Sequence, residues 1–183
     1  MYARKPGRAR KPLNEEKLHE LALFYLGKFA TTRSKLANYL NRKVRERGWD
    51  GDRPADIERL VERLASSGLV DDALYALSKS RSLTERGYGA ARVRQALHAA
   101  GVDEEEGASA NELAAEEAAA SALRFARRKR IGPFADAPPD RKAREKALAT
   151  MIRAGHPFEL AKAVLDAEPG SEIDLDELRA KFR

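Results

Sequence analysis

The amino-acid sequence predicts an all-α protein of three tandem three-helix repeats, stacked into an elongated, curved right-handed or solenoid-like array. Apolar residues recur at helical spacing, as in residues 18–29, and no segment shows the sustained alternation of a β-strand. Glycines that end similar helical segments stand at positions 48, 101 and 155, which are 53 and 54 residues apart. Because three short helices cannot bury both their faces alone, we expect each repeat to cover its neighbour.

The first repeat, residues 14–69, follows a basic tail, residues 1–13. Five Lys and Arg residues and no acid precede residue 15, so most of the formal net charge of +6 lies at this end of the chain. We expect the tail to be disordered and able to bind polyanions through counterion release. Three helices are expected in the repeat, at 14–28, 33–47 and 55–67. Trp49 lies between two of them and is interpreted as a packed loop anchor.

The second repeat, residues 70–108, is predicted to have two regular helices and a degenerate third one. The third is expected to be poor because the segment "DEEEGAS" is acidic and contains Gly107. The third repeat, residues 109–168, is predicted to begin with one long helix. Its expected helices lie near 110–130, 140–154 and 157–167. Residues 169–183 are expected to form a tail or a short helix.

The stretch "ERGYGAARVRQALHAAGV", residues 85–102, has a structural explanation for its glycines. With Gly89 as the helix N-cap, Tyr88 and Val93 occupy the two positions of a hydrophobic staple. Gly87 permits the chain reversal that precedes this helix, and Gly101 ends it. The pattern is not a dinucleotide-binding fingerprint, since no strand precedes it.

Arginines are the candidate contact residues of this region and of a later one. Residues 79–94 carry five basic side chains and one acidic side chain, few of them at the spacing for local ion pairs. The candidate partner-binding or DNA-binding residues are Arg81, Arg86, Arg92 and Arg94, and the dense basic run Arg127, Arg128, Lys129 and Arg130. Two interpretations of each basic run are consistent with the sequence: a solvated helix face and a docking surface.

Several function classes find no support in the residues. The chain has no cysteine, which excludes a thiol nucleophile, a disulfide and a cysteine-ligated metal. His19, His98 and His156 are far apart and lack metal-ligand spacing, so we expect no enzyme activity, metal or cofactor. No apolar run approaches the ~20 residues of a membrane span and no signal peptide is apparent. We therefore expect a cytoplasmic protein. Because a capped repeat array can be monomeric, we expect a monomer.

The sequence resembles the RecX family of recombinase regulators, most specifically in "GLVDDALYALSKSRSLTERGYGAARVRQALHAAGV", residues 68–102. The family has an acidic pair opening a helix, then a helix ending in arginine, a Gly-x-Gly turn, an Arg-containing helix and a closing glycine. The matching residues here are Asp71, Asp72, Gly87, Tyr88, Gly89 and Gly101. "LGKFATTRSKLANYL" and "FARRKRIGPF" resemble parts of its first and third repeats.

The resemblance implies three tandem three-helix repeats and binding in the groove of the RecA nucleoprotein filament, where single-stranded DNA is held. It also implies lower ATP hydrolysis, less strand exchange and less co-protease activity in the SOS response, and hence a role in DNA repair. A helix-turn-helix-like protein that binds naked DNA, through 33–68 or 72–100, is the alternative. The spread of basic residues over three places argues against a single recognition helix.

Overall fold

The structure, a computed structural model, describes residues 11–182, and this part of the chain contains ten α-helices and no strand. The helices are α1 Glu15–Leu26, α2 Arg33–Arg47, α3 Ile57–Ser66, α4 Asp72–Glu85, α5 Ala90–His98, α6 Glu104–Glu116, α7 Ala118–Lys129, α8 Arg141–Arg153, α9 Phe158–Asp166 and α10 Leu175–Lys181. A 3-10 turn covers Gly132–Phe134. The all-α prediction is confirmed. The chain forms two compact units, unit 1 ending at Asp71 and unit 2 beginning at Asp72.

Unit 1 is the three-helix group α1, α2 and α3. Each helix begins at a polar cap whose side-chain oxygen accepts a backbone N–H three residues on: Asn14 at 3.0 Å, Thr32 at 3.2 Å and Asp56 at 3.0 Å. The largest buried side chains of its core are Leu13, Leu18, Leu36, Leu40, Ile57, Leu60, Val61, Leu64 and Val70. The three helices lie where the sequence predicts them, with ends that differ by two residues at most.

The end of the predicted basic tail is part of this core. Leu13 is fully buried, and its N–H donates to the carbonyl of Gly48 at 3.0 Å. The adjacent Trp49 packs against the core and donates its indole N–H to the carbonyl of Arg53 at 2.6 Å. The prediction of a tail as far as residue 13 is therefore wrong at its C-terminal end, because an apolar side chain there completes the core. Residues 1–10 lie outside the described residues.

The third helix of the second repeat is regular, which corrects the expectation of a degenerate one. Asp103 caps α6 and accepts the N–H of Glu106 at 2.8 Å. Three glutamates follow in the first turn, where negative charge is favourable at the positive end of the helix dipole. The acidic composition that argued against a helix is therefore a helix-start signal. The predicted boundary between residues 108 and 109 falls inside α6.

Small residues allow α6 to lie close along α4. Gly107, Ala110 and Ala114 are all buried. The hydroxyl of Ser80 on α4 donates to the carbonyl of Ala110 at 2.7 Å, in the buried interface. A side chain larger than alanine at Ala110 would push the two helices apart. Gly107 lies beside Val102 and Leu97 instead, and a Cβ there would make ordinary contacts at 3.6 and 3.8 Å.

The single long helix expected near 110–130 is also wrong. Glu117 separates α6 from α7. The N-terminal part of the predicted helix packs on α4 and α5, whereas the C-terminal part packs mainly on α9 and α10 and also contacts α4. The two halves of the predicted helix therefore belong to different helical groups, although both contact α4.

The third helical group is α7, α8 and α9, completed by the short helix α10. Its core joins Phe125, Met151, Leu160, Val164, Leu165 and Leu178 with five buried alanines. Helices predicted at 140–154 and 157–167 are confirmed as α8 and α9. In the last segment, α10 is a true short helix capped by Asp174, whose carboxylate accepts the N–H of Asp176 at 2.8 Å.

Candidate partner-binding surface

The Gly-Tyr-Gly turn forms the joint between the two helical groups of unit 2, which are α4–α6 and α7–α10. The N–H of Gly89 donates to the carbonyl of Ala154 at 3.0 Å, and the N–H of Ala91 donates to the carbonyl of Gly155 at 3.2 Å. A Cβ atom on Gly89 would lie 2.3 Å from the carbonyl oxygen of Gly155. A Cβ on Gly87 would lie 2.7 Å from the backbone nitrogen of Phe125. The glycines are therefore needed for backbone-to-backbone contact, beyond the turn itself.

The N-cap role of Gly89 is confirmed, and Gly101 adopts a left-handed conformation, φ 73°, in the turn after α5. Asp72 is buried as the first residue of α4, while Asp71 is exposed. The six residues of the family-like motif thus begin and end helices or fill the joint.

His156 completes the joint from the third group. Its ring is buried, with Nε2 3.1 Å from the carbonyl of Gly87 and its edge against Phe125 at 5.5 Å between centroids. Burial lowers the pKa of His156 to about 4, and the backbone hydrogen bond only partly opposes this shift. The ring is therefore neutral at pH 7, and Nε2–H donates to the carbonyl. Sequence analysis assigned no role to this histidine.

Two of the predicted arginines meet on Tyr88 because of this joint. The guanidinium of Arg86 lies 5.4 Å from the Tyr88 ring centroid and that of Arg128 lies 5.6 Å from it. Arg128 also lies 5.3 Å from the Phe125 ring and donates to the carbonyl of Arg86. Both arginines remain exposed, so two runs 42 residues apart in sequence present one charged surface, hereafter the Tyr88 cluster.

Arg124 belongs beside this cluster and was missed by sequence analysis. Its guanidinium donates to the carbonyl of Thr84 at 3.1 Å and pairs with Glu117 at 2.8 Å. It lies four residues before Arg128, so helical spacing places the two on one face of α7. This four-residue spacing is the sequence signal that could have identified Arg124 as a neighbour of Arg128.

The remaining residues of the second basic run surround the C-terminus of α7. The guanidinium of Arg127 lies 4.9 Å from the Phe134 ring centroid. Lys129 is exposed, and Arg130 ends the helix in a left-handed conformation, φ 52°. Cations here are favourable at the negative end of the helix dipole, so a structural role accounts for part of this run.

Arg81, Arg92 and Arg94 are exposed, and among residues 11–182 none of their guanidinium groups makes a cation–ring contact with Tyr88. Arg92 hydrogen-bonds Gln95 at 2.6 Å on its own helix. The structure therefore divides the predicted arginines into two that share a ring and others that stand apart from it on the surface.

The described residues contain no group of three potential metal ligands. His19 is half-buried, His98 is exposed and His156 is in the joint, so the three histidines do not form one site. No helix between residues 11 and 182 has the length and apolar character needed to cross a membrane.

Known proteins show the same sequence pattern. A family model described as RecX, second three-helix domain, matches residues 71–110, which include the Gly-Tyr-Gly turn. The regulatory protein RecX of Myxococcus xanthus (strain DK1622) is 37% identical over 176 residues, covering 91% of this chain and 92% of that protein. The chain belongs to the RecX family. RecX of Agrobacterium fabrum (strain C58 / ATCC 33970) is 29% identical over 152 residues, covering 79% of each chain.

Solved RecX structures share the fold. A crystal structure of RecX from Lactobacillus salivarius superposes with a TM-score of 0.58 at 20% identity, covering 81% of this chain and 92% of that one. A second crystal structure, of regulatory protein RecX, gives a TM-score of 0.60 at 25% identity, covering 82% of this chain and 71% of that one. The RecX relatives are named regulatory proteins, and the helical fold of this chain matches that of the solved RecX structures.

Proposed function

We propose that this RecX family member is a non-catalytic regulator that binds in the groove of the RecA nucleoprotein filament. Binding lowers ATP hydrolysis, strand exchange and co-protease activity of the filament. The observation that carries the proposal is the Tyr88 cluster, because it builds an exposed cationic surface on the joint of two RecX-type repeats. Such a surface suits a partner that presents acidic protein groups beside DNA phosphates.

The mechanism needs no catalytic group. A ligand shifts the equilibrium between two filament states only by the difference in its affinity for them, so the regulator must bind the poorly hydrolysing state more tightly. Contacts on neighbouring filament subunits then reinforce each other through effective concentration. We further propose that the protein acts as a monomer in the cytoplasm, where the chromosome lies.

The test is the single-stranded-DNA-dependent ATPase of RecA, titrated with this protein. We expect turnover to fall at amounts well below the RecA concentration, and inhibition to weaken as salt screens the cationic surface. The double substitution R86Q/R128Q should raise the amount needed for half-inhibition about tenfold, the size of a modest interface hot spot. R141Q is the matched control, since Arg141 is an exposed arginine on α8 that pairs with Glu145 of its own helix.

A second variant tests the predicted arginines that lie outside the Tyr88 cluster. R81Q/R94Q removes exposed charges that the fold does not use, so its unfolding curve should match the wild type. If both double variants inhibit as the wild type does, the arginine surface is not the contact. Unchanged ATPase together with tight binding to naked duplex DNA would replace the proposal with the helix-turn-helix-like alternative.

A further inference from the structure

Unit 2 contains a groove along α7 that includes neither arginine of the Tyr88 cluster. Its volume is about 470 Å³, within the usual range of ligand-binding pockets. The lining comes from α7, from the 3-10 turn and from residues 171–175. Its apolar members are Ala120, Leu123, Pro133, Phe134, Ile173 and Leu175. Such a lining suits an apolar side chain of a ligand.

Hydrogen bonds hold the walls of this groove in place. The N–H of Gly170 donates to the carbonyl of Pro133 at 2.8 Å, which ties the C-terminal segment to the 3-10 turn. The hydroxyl of Ser171 donates to the carbonyl of Glu168 at 2.7 Å. Helix α10, which follows this segment, packs on α7. The groove is therefore formed before a ligand binds, so binding need not order its walls.

The polar groups of the groove include a cation that the fold leaves unpaired. Arg124 and Arg127 line the groove from α7, and Glu172 is the one acidic lining residue among those the structure describes. Arg124 already pairs with Glu117 at 2.8 Å. Within residues 11–182 no carboxylate forms an ion pair with Arg127, whose guanidinium lies 4.9 Å from the Phe134 ring centroid. Arg127 is therefore available to an anionic group of a ligand.

The chain itself shows which kind of segment α7 accepts. Residues 171–178, "SEIDLDEL", combine acidic and apolar residues and include no basic one. Leu178 is buried in the core of the third helical group, and Ile173 and Leu175 pack against that core. The acidic residues between them are exposed. A second segment of this composition would continue the same packing into the groove.

We propose that this groove binds an acidic peptide segment of another protein, with one apolar side chain inside the groove and a neighbouring carboxylate on Arg127. The apolar lining takes the side chain as an anchor, and the unpaired guanidinium takes the carboxylate. Backbone N–H groups of the peptide donate to Glu172 and to the Ser171 hydroxyl. A nucleic acid is a poorer occupant, because Glu172 repels its phosphates and it has no aliphatic side chain.

The experiment measures anisotropy of a fluorescein-labelled five-residue peptide, with leucine at its second and fourth positions and glutamate elsewhere. RecA and DNA are absent. Ser171→Trp places a large ring at the exposed rim of the groove, and should weaken binding about tenfold by blocking the anchor pocket. Ala180→Trp is the matched control, because Ala180 is exposed on α10 and does not line the groove.

A second pair of variants tests the cation. Arg127→Gln should weaken peptide binding about threefold at low salt, the size expected for one exposed ion pair. Lys129→Gln should leave binding unchanged, because it removes the same charge from the same helix end without lining the groove. A labelled peptide with serine in place of both leucines should bind wild-type protein at least about tenfold more weakly, since it lacks the apolar anchor.

Several results would overturn the proposal. They are equal binding by S171W and A180W, equal weakening by R127Q and K129Q, or equal binding of the leucine and serine peptides. Displacement of the peptide by oligo(dT) as effective as by unlabelled peptide would assign the surface to a nucleic acid instead. Dimers of the wild-type protein that S171W dissociates would assign the groove to a second copy of the chain. Because RecA is absent, none of these outcomes decides the ATPase test, and the two proposals fail separately.

Discussion

Two aromatic–cation clusters within residues 11–182, one in each unit, differ in the groups that bond to their cations. In the Tyr88 cluster of unit 2, Arg128 donates to a backbone carbonyl and touches two rings, and the neighbouring Arg124 donates to another carbonyl. In unit 1, Arg42 and Lys43 lie over Tyr39 and share one exposed carboxylate. Cations of the first kind bond to backbone carbonyls of the fold, whereas Arg42 and Lys43 pair with a carboxylate on their own helix. Basic runs that look alike in sequence therefore differ in energetic role.

The largest effect should come from breaking the joint under the Tyr88 cluster. Gly89→Ala places a Cβ 2.3 Å from the carbonyl oxygen of Gly155, so the backbones must separate and unfolding should become easier by about 3 kcal/mol. Gly27→Ala is the control, because its Cβ would meet no atom closer than 3.5 Å and neither glycine has a positive φ. Urea unfolding measures both variants. Equal stability of the two would show that the joint tolerates a side chain.

The next effect should come from pH, through His156. Its pKa is about 4 in the folded protein against 6.5 for an ordinary histidine, so the unfolded chain takes up the proton first. This contribution to stability is complete above pH 6.5 and is lost as pH falls toward 4, at about 1.4 kcal/mol per pH unit. Between about pH 7 and pH 5 the loss should approach about 2 kcal/mol, on the basis of that slope.

Urea unfolding at the two pH values checks this prediction. His156→Gln should flatten the difference, while His98→Gln should leave it unchanged because His98 is exposed. A wild-type protein equally stable at both pH values would mean that the His156 ring takes up a proton in the folded protein as readily as in the unfolded chain.

The smallest effect should separate the two kinds of cation directly. Arg128→Met removes a carbonyl hydrogen bond and the interactions with Tyr88 and Phe125, and should cost about 1–2 kcal/mol. Arg42→Met removes an exposed ion pair and a distant ring interaction, and should cost under about 0.5 kcal/mol. Thermal denaturation compares them. Similar destabilisation of the two would mean that the clusters do not differ as described.

Helix positions were largely predictable, because apolar spacing and polar caps are local signals. The exceptions are α6 and the break at Glu117, where small residues and an acidic first turn concealed a helix that close packing on α4 stabilises. For the candidate binding surface, the sequence predicted that arginines take part, but it did not predict that Arg86 and Arg128 contact the same ring. The basic composition of α2 can be read from the sequence, whereas the contact of Arg42 and Lys43 with the Tyr39 ring cannot.

The sequence by itself determined that this protein is helical, that its helices recur as repeats, and that it belongs with the RecX proteins. These properties depend on periodicity, caps and motifs that act over a few residues. Only the tertiary structure decided that Arg86 and Arg128 share Tyr88, that Gly89 faces Gly155, and that Leu13 belongs to a core. Such pairings depend on how distant backbones approach each other, and local spacing carries no information about which distant residues will meet.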